Sequence, residues 1–231
     1  MRIFTLRKQL NTKKGVLMKN ILFELCQETN ALRCAALSRE LQRRGTHFVN
    51  MESMALLVPS ECSNPVTVCA HFDTVPGSSG YNDNGMALLA ALQLLEKRPT
   101  DMEIVFTNFE ERGFLGAQYY LSHTKHTPRL VINLDVCGMG DAIYCDPMNS
   151  NLFPADCKTG IMPLNDAYIF ARAGIASLCL STAPGDMSFN EGIRAIGRTI
   201  HGNELDNNPD ILNFDLPEIV AEKVLFLAKS V

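Results

Sequence analysis

Three apolar runs in this sequence end in acid or histidine. Val66–Ala70 leads into His71-Phe72-Asp73, Glu103–Phe109 into Glu110-Glu111, and Val131–Leu134 into Asp135. A short apolar run bounded by polar residues reads as a buried strand. A charge at its end must find a partner, because a lone charge out of water is costly. Helical patterns separate these runs. They cover Gly85–Lys97, with Met86, Leu88, Leu89, Leu92 and Leu95, then Phe114–His123, and Asp166–Ala173 ahead of Gly174. Apolar strands alternating with helices need a sheet covered on both faces. The expected fold is a single-domain, three-layer α/β/α sandwich around a central mixed, mostly parallel sheet. Shorter strands are expected at His47–Met51, Met54–Val58, Asp141–Cys145 and Ser177–Ser181. A helical pattern runs from Met18 to Arg44. Asp215 with Glu218 three residues later predicts a capping box for a closing helix.

Charge and cysteine usage narrow the class. The chain has 21 basic and 25 acidic residues, a net charge of −4, which offers no basic face for nucleic acid. Arg2, Arg7, Lys8, Lys13, Lys14 and Lys19 cluster at the start without a single acid. Residues 1–17 are therefore expected to be a flexible basic segment and 18–231 the folded domain. A signal peptide is not expected, since Glu24 interrupts Ile21-Leu22-Phe23 at once. No run approaches the roughly 20 apolar residues that span a bilayer, so no membrane partner is expected. None of the eight cysteines is spaced Cys-x-x-Cys, and Cys69 and Cys179 sit in apolar runs. Free thiols and a cytoplasmic location are the expectation.

In an open α/β sheet, functional groups gather beyond the carboxyl ends of the strands. His71 and Asp73, two apart, project to one side, so Asp73 can accept the free ring N–H of His71 and fix its tautomer. A structural hydrogen-bonded pair has the same spacing. Glu110-Glu111 reads either as a solvated turn or as a pair awaiting a cation. Asp83, ahead of Met86, reads as a helix cap. Asp135 follows an apolar run directly and needs a partner. His201 carries no local pattern. His123 and His126 read as a solvated helix end without an acid nearby. Gly77-Ser78-Ser79-Gly80 lacks the lysine of a phosphate loop, and no Gly-x-Ser-x-Gly elbow occurs.

Taken in order, five segments resemble peptidase family M28, the co-catalytic zinc aminopeptidases. They are Ala70–Gly77, Gly80–Ala87, Asn108–Ala117, Asn133–Asp135 and Ile200-His201 with Asp206 beyond; Asp166–Ile175 resembles a sixth. The resemblance implies a zinc-exopeptidase fold and two zinc ions. His71 and Asp135 would hold one ion, Glu111 and His201 the other, and Asp83 would bridge both. Glu110 would be the general base and Asp73 the partner of His71. The peptide bond after Asp83 would be cis. The implied substrate is a peptide or aminoacyl compound cut at its N-terminus, with homo-oligomerisation left open.

Two departures stand out. Ala167 occupies a position where the family commonly has histidine, which implies a changed pocket shape. The chain is also shorter than many relatives, which implies a more open site. A carboxypeptidase or small-molecule deacylase, a one-zinc glutaminyl cyclase and a non-catalytic binding domain are the alternatives. Glutaminyl cyclases lean on tryptophans near the metal, and this chain has none.

Overall fold

The computed structural model describes residues 15–231, so the basic run before Gly15 lies outside the described residues. Helix α1 covers residues 15–25 and thus already includes residues 15–17. It is followed by α2 (Asn30–Arg43), β1 (Val49–Met51), β2 (Ala55–Val58), β3 (Val66–His71) and α3 (Met86–Leu94). Then come β4 (Met102–Thr107), α4 (Leu115–His123), β5 (Leu130–Leu134), β6 (Ala142–Asp146) and β7 (Lys158–Thr159). The chain closes with α5 (Asp166–Arg172), β8 (Ser177–Ala183), α6 (Phe189–Gly197) and α7 (Leu216–Ala228).

The strands form one mixed sheet in the order β1-β2-β4-β3-β5-β8-β6-β7. Its centre, β4-β3-β5-β8, is parallel, while β1 on β2, β2 on β4 and β6 on β8 are antiparallel. Side chains alternate across this sheet. Val68, Ile104, Ile132 and Leu178 join the core under α3 and α7, whereas Cys69, Val105 and Val131 pack with Ala117 and Tyr120 of α4 and Phe170 of α5. Both faces are therefore covered, which is why these strands read as unbroken apolar runs. The expected three-layer architecture is observed.

Four local expectations change. The pattern over 18–44 is two helices, because Thr29 caps a new one by accepting from the Leu32 N–H. Asp215 makes no side-chain capping bond, and the capping box sits instead at Ser188 and Glu191 of α6. That helix is not among the sequence expectations, although Phe189, Ile193 and Ile196 recur at helical spacing behind a Ser-x-x-Glu start. His126 is not a solvated residue without an acid: its Nε2 lies 3.1 Å from Glu103 of β4, a partner remote in sequence.

Candidate metal centre

His71 is the last residue of β3 and is paired in register with Thr107, so it stands at the carboxyl edge of the parallel strands. Its ring is buried. Nδ1 lies 3.2 Å from the Asp73 carbonyl oxygen and 3.4 Å from Asp73 Oδ1, which assigns the proton to Nδ1 and leaves Nε2 facing the cleft. Asp73 is itself held, accepting from the Glu110 and Glu111 backbone N–H groups at 3.1 and 3.2 Å. One carboxylate thus ties the β3 end to the 3-10 turn Glu110–Arg112 after β4.

Asp83 stands in the irregular turn Tyr81–Gly85 before α3 and points its two oxygens in different directions. Oδ1 lies 3.0 Å from His71 Nε2, and Oδ2 lies 3.3 Å from His201 Nε2. Asp135 Oδ1 is 3.5 Å from His71 Nε2, and Glu111 Oε2 is 3.0 Å from His201 Nε2. The five side chains therefore form two groups, His71–Asp83–Asp135 and Asp83–Glu111–His201, sharing Asp83. The Asp83–Asn84 peptide bond is cis. Phe109, Val136 and His201 all adopt left-handed backbone conformations, at φ 59°, 54° and 56°. For a β-branched residue such as Val136 this is rare, and such outliers concentrate at functional sites.

Two observations test whether cations fit here. Asp135 Oδ1 and Glu111 Oε1 are buried yet make no hydrogen bond, a costly condition that a cation at each group would relieve. The donors are also imidazole nitrogens mixed with carboxylates, three to a group, which is the set zinc takes in open, catalytic sites. The residues fit two zinc ions.

The metal-free electrostatics agree. Burial lifts Glu110 to about 10, with the charges of Asp135, Asp166 and Asp83 adding to it. Burial and the Asp83 charge lift Glu111 to about 7. Asp135 is raised by burial too. Hydrogen bonding to Asp83 pushes His201 up to about 9. Burial disfavours the His71 cation, but the neighbouring carboxylates of Asp135, Asp73 and Asp83 more than reverse this. For Asp83 burial acts upward, and the hydrogen bonds from His201 and His71 hold the carboxyl low. Without metal, protons occupy the positive positions that this anionic cluster demands.

The groups open onto a cleft of about 290 Å³. Glu110, Glu111, Asp83, Asp135 and His201 line one side; Val136, Met162, Leu164, Ile193, Ile196 and Ile200 give the rest an apolar wall. Ala167 is buried against this wall, in the cluster of Val136, Met162, Cys179 and Ile196. Sequence reasoning missed the apolar wall and the two asparagines beside Asp83. Asn84 donates to the Leu134 carbonyl at 2.9 Å and accepts from the Val136 N–H at 3.1 Å. Asn82 accepts from the Gly138 N–H at 2.8 Å and donates to Thr199 Oγ1 at 2.7 Å. The polar run Asn82-Asp83-Asn84 directly ahead of an apolar helix was the available signal.

The chain is 38% identical over 107 residues to a vacuolar membrane protease of Saccharomyces cerevisiae (strain YJM789), a match covering 42% of the chain and 11% of that protein. It is 35% identical over 105 residues to aminopeptidase YwaD of Bacillus subtilis (strain 168), covering 40% and 23%. The chain thus spans a minor part of the length of these relatives. In fold it is similar to a zinc aminopeptidase from Bacillus subtilis, with TM-score 0.56, 21% identity and coverage of 74% of this chain and 47% of that one. It is also similar in fold to glutaminyl cyclase of Porphyromonas gingivalis, with TM-score 0.68, 15% identity and coverage of 94% and 96%. The model of peptidase family M28 matches residues 54–150, which carry every proposed ligand except His201. The resemblance read from the sequence is borne out over residues 54–150, which match the M28 peptidase family model.

Proposed function

We propose that the chain is a zinc-dependent aminopeptidase with a two-metal site. The division of Asp83 between His71 Nε2 at 3.0 Å and His201 Nε2 at 3.3 Å carries this reading, because one carboxylate then serves both groups. His71 and Asp135 would hold one zinc, Glu111 and His201 the other, and Asp83 both. Bound zinc supplies a Lewis acid for the scissile carbonyl and acidifies water toward pKa of about 7. Glu110 lies on the cleft wall beside Glu111, on the turn after β4. It accepts a proton from the attacking water and delivers it to the leaving amine. Positive charge held among these carboxylates would oppose the upward shift of Glu110 and favour its ionised form. Asp73 holds the His71 tautomer and, through its two backbone contacts, the Glu110 turn. The apolar wall accepts the side chain of an N-terminal apolar residue. All eight cysteines are free thiols, which supports a reducing, cytoplasmic setting. Among the described residues, no helix is long and apolar enough to cross a membrane.

Zinc analysis combined with turnover on aminoacyl, N-blocked and C-terminal peptide substrates tests this reading. Two zinc per chain, loss of turnover with chelator and rejection of N-blocked peptides are expected. Turnover of N-blocked peptides would contradict it. A glutaminyl cyclase reading has one observation in its favour, the near-complete mutual coverage with that enzyme's fold. The absence of tryptophan and the complete second ligand set Asp83–Glu111–His201 weigh against it. Ring closure of an N-terminal glutamine in the same assay would establish it.

A further inference from the structure

Arg33 of α2 is 1% exposed, far from any surface role for a guanidinium. Burying such a cation is expensive, and it persists where its directional donors position something. Its Nε donates to the Gln27 carbonyl at 2.8 Å and its Nη2 to the Ser79 carbonyl at 2.6 Å. Gly80 is shaped around it, since a Cβ there would lie 2.7 Å from Arg33 Nη2. Arg33 thereby fixes the segment that leads directly into Asp83.

Ser79 passes this constraint on. Its hydroxyl donates to the Asp206 backbone carbonyl at 2.9 Å, and its N–H donates to Asn207 Oδ1 at 2.6 Å. Asp206, also 1% exposed, accepts from the Gly202 N–H at 2.7 Å through Oδ2. Gly202 follows His201. An unbroken set of contacts therefore runs from the α2 helix through Ser79 and Asp206 to the backbone beside a proposed ligand. His201 needs such support. Its side chain is 48% exposed and its φ is +56°, whereas the His71 ring is 2% exposed and ends a central strand.

We propose that Arg33, Ser79 and Asp206 are positioning residues that hold the His201 loop against the Asp83 turn and so set the affinity of the Asp83–Glu111–His201 group for its metal, with little effect on the His71–Asp83–Asp135 group. This rests on the two-metal reading given above. Outer partners of metal ligands change affinity by about 10- to 100-fold when lost. The asymmetry between a strand-borne and a loop-borne histidine directs that loss to one site.

Stepwise zinc affinities of the full chain, measured by competition with a chromogenic chelator, test the proposal, with cobalt(II) absorption spectra reporting each site. Ser79→Ala removes the hydroxyl contact to the Asp206 carbonyl while keeping Arg33. The weaker zinc should bind about 10-fold less tightly or worse, and the tighter within about twofold of wild type. Asp206→Ala, which removes the acceptor of the Gly202 N–H, should act the same way, and Ser79→Thr should restore binding. Equal weakening at both sites, or none at either, would overturn the proposal. Arg33→Met should show the strongest selective loss; should it not fold, the Ser79 and Asp206 variants decide the matter. A wild-type chain with fewer than two zinc sites would overturn the two-metal reading and this proposal together. Two intact sites in wild type and in every variant would remove only the proposal.

Discussion

The side-chain amide of Asn84 grips the backbone on both sides of Asp135. It donates to the Leu134 carbonyl and accepts from the Val136 N–H, so the carboxylate between them leaves β5 at a set angle. Asn84→Ala would leave two buried backbone groups unpaired, at a cost of about 1–3 kcal/mol each. Urea unfolding of the zinc-free protein should show a loss of about 2–4 kcal/mol. Zinc binding should weaken as well. A variant as stable as wild type would show that these bonds do not hold Asp135.

The titration shifts give zinc-free stability a definite slope. Glu110 moves from 4.5 to about 10, Glu111 from 4.5 to about 7, and His201 from 6.5 to about 9. In each case the folded chain binds more protons than the unfolded chain between the two values, so stability falls as pH rises. The Asp83 shift has the opposite sign but acts only below its ordinary 3.8. The Tm of chelated protein should therefore drop between pH 6.5 and 9, the window that bounds the His201 shift. Metal binding displaces those protons, so stabilisation by zinc should grow over the same range. A zinc-free Tm that rises with pH would contradict the charge assignments.

The cleft wall predicts a substrate preference. Val136, Met162, Leu164, Ile193, Ile196 and Ile200 face the carboxylate side, and among the described residues no lysine or arginine lines the cleft. An acidic first side chain would meet apolar surface and like charge together. Leucyl substrates should exceed aspartyl substrates in kcat/KM by about 100-fold or more, a difference of about 3 kcal/mol in transition-state binding. Equal turnover of the two would show that the wall does not take the first side chain.

Helix α6 supplies Ile193 and Ile196 to that wall, and it lies close on Tyr144. A Cβ at Gly192 would stand 2.4 Å from the Tyr144 hydroxyl and ring. Gly192→Ala should push the helix outward, costing about 1–3 kcal/mol of stability and raising KM more than it lowers kcat. Steady-state kinetics check this. An unchanged KM with lowered kcat would place α6 elsewhere in the mechanism.

Much of this site could be read from the chain because it depends on strand position. His71, Glu110, Glu111 and Asp135 each follow an apolar run that a covered parallel sheet must bury, so their location at the carboxyl edge follows from pattern alone. His201 and Asp83 gave no such sign, lying in loops with no periodicity, and became visible only through family resemblance. The contacts of Asn82, Asn84 and the buried Arg33 could not be read for another reason. Their partners Thr199, Leu134 and Ser79 are distant in sequence, and only the fold brings them together. His126 shows the same limit, since its acid partner lies on β4.

The central claim is that Glu110 moves the proton while its neighbours hold the metals. Glu110→Gln keeps the size of the side chain and removes its basicity, and Glu110 is not among the five proposed ligands. Zinc content and kcat measured on the same preparation test the claim most directly. Two zinc per chain, as in wild type, and a kcat lowered by about 100-fold or more are expected. A Glu110→Gln protein with two zinc and wild-type turnover would contradict it.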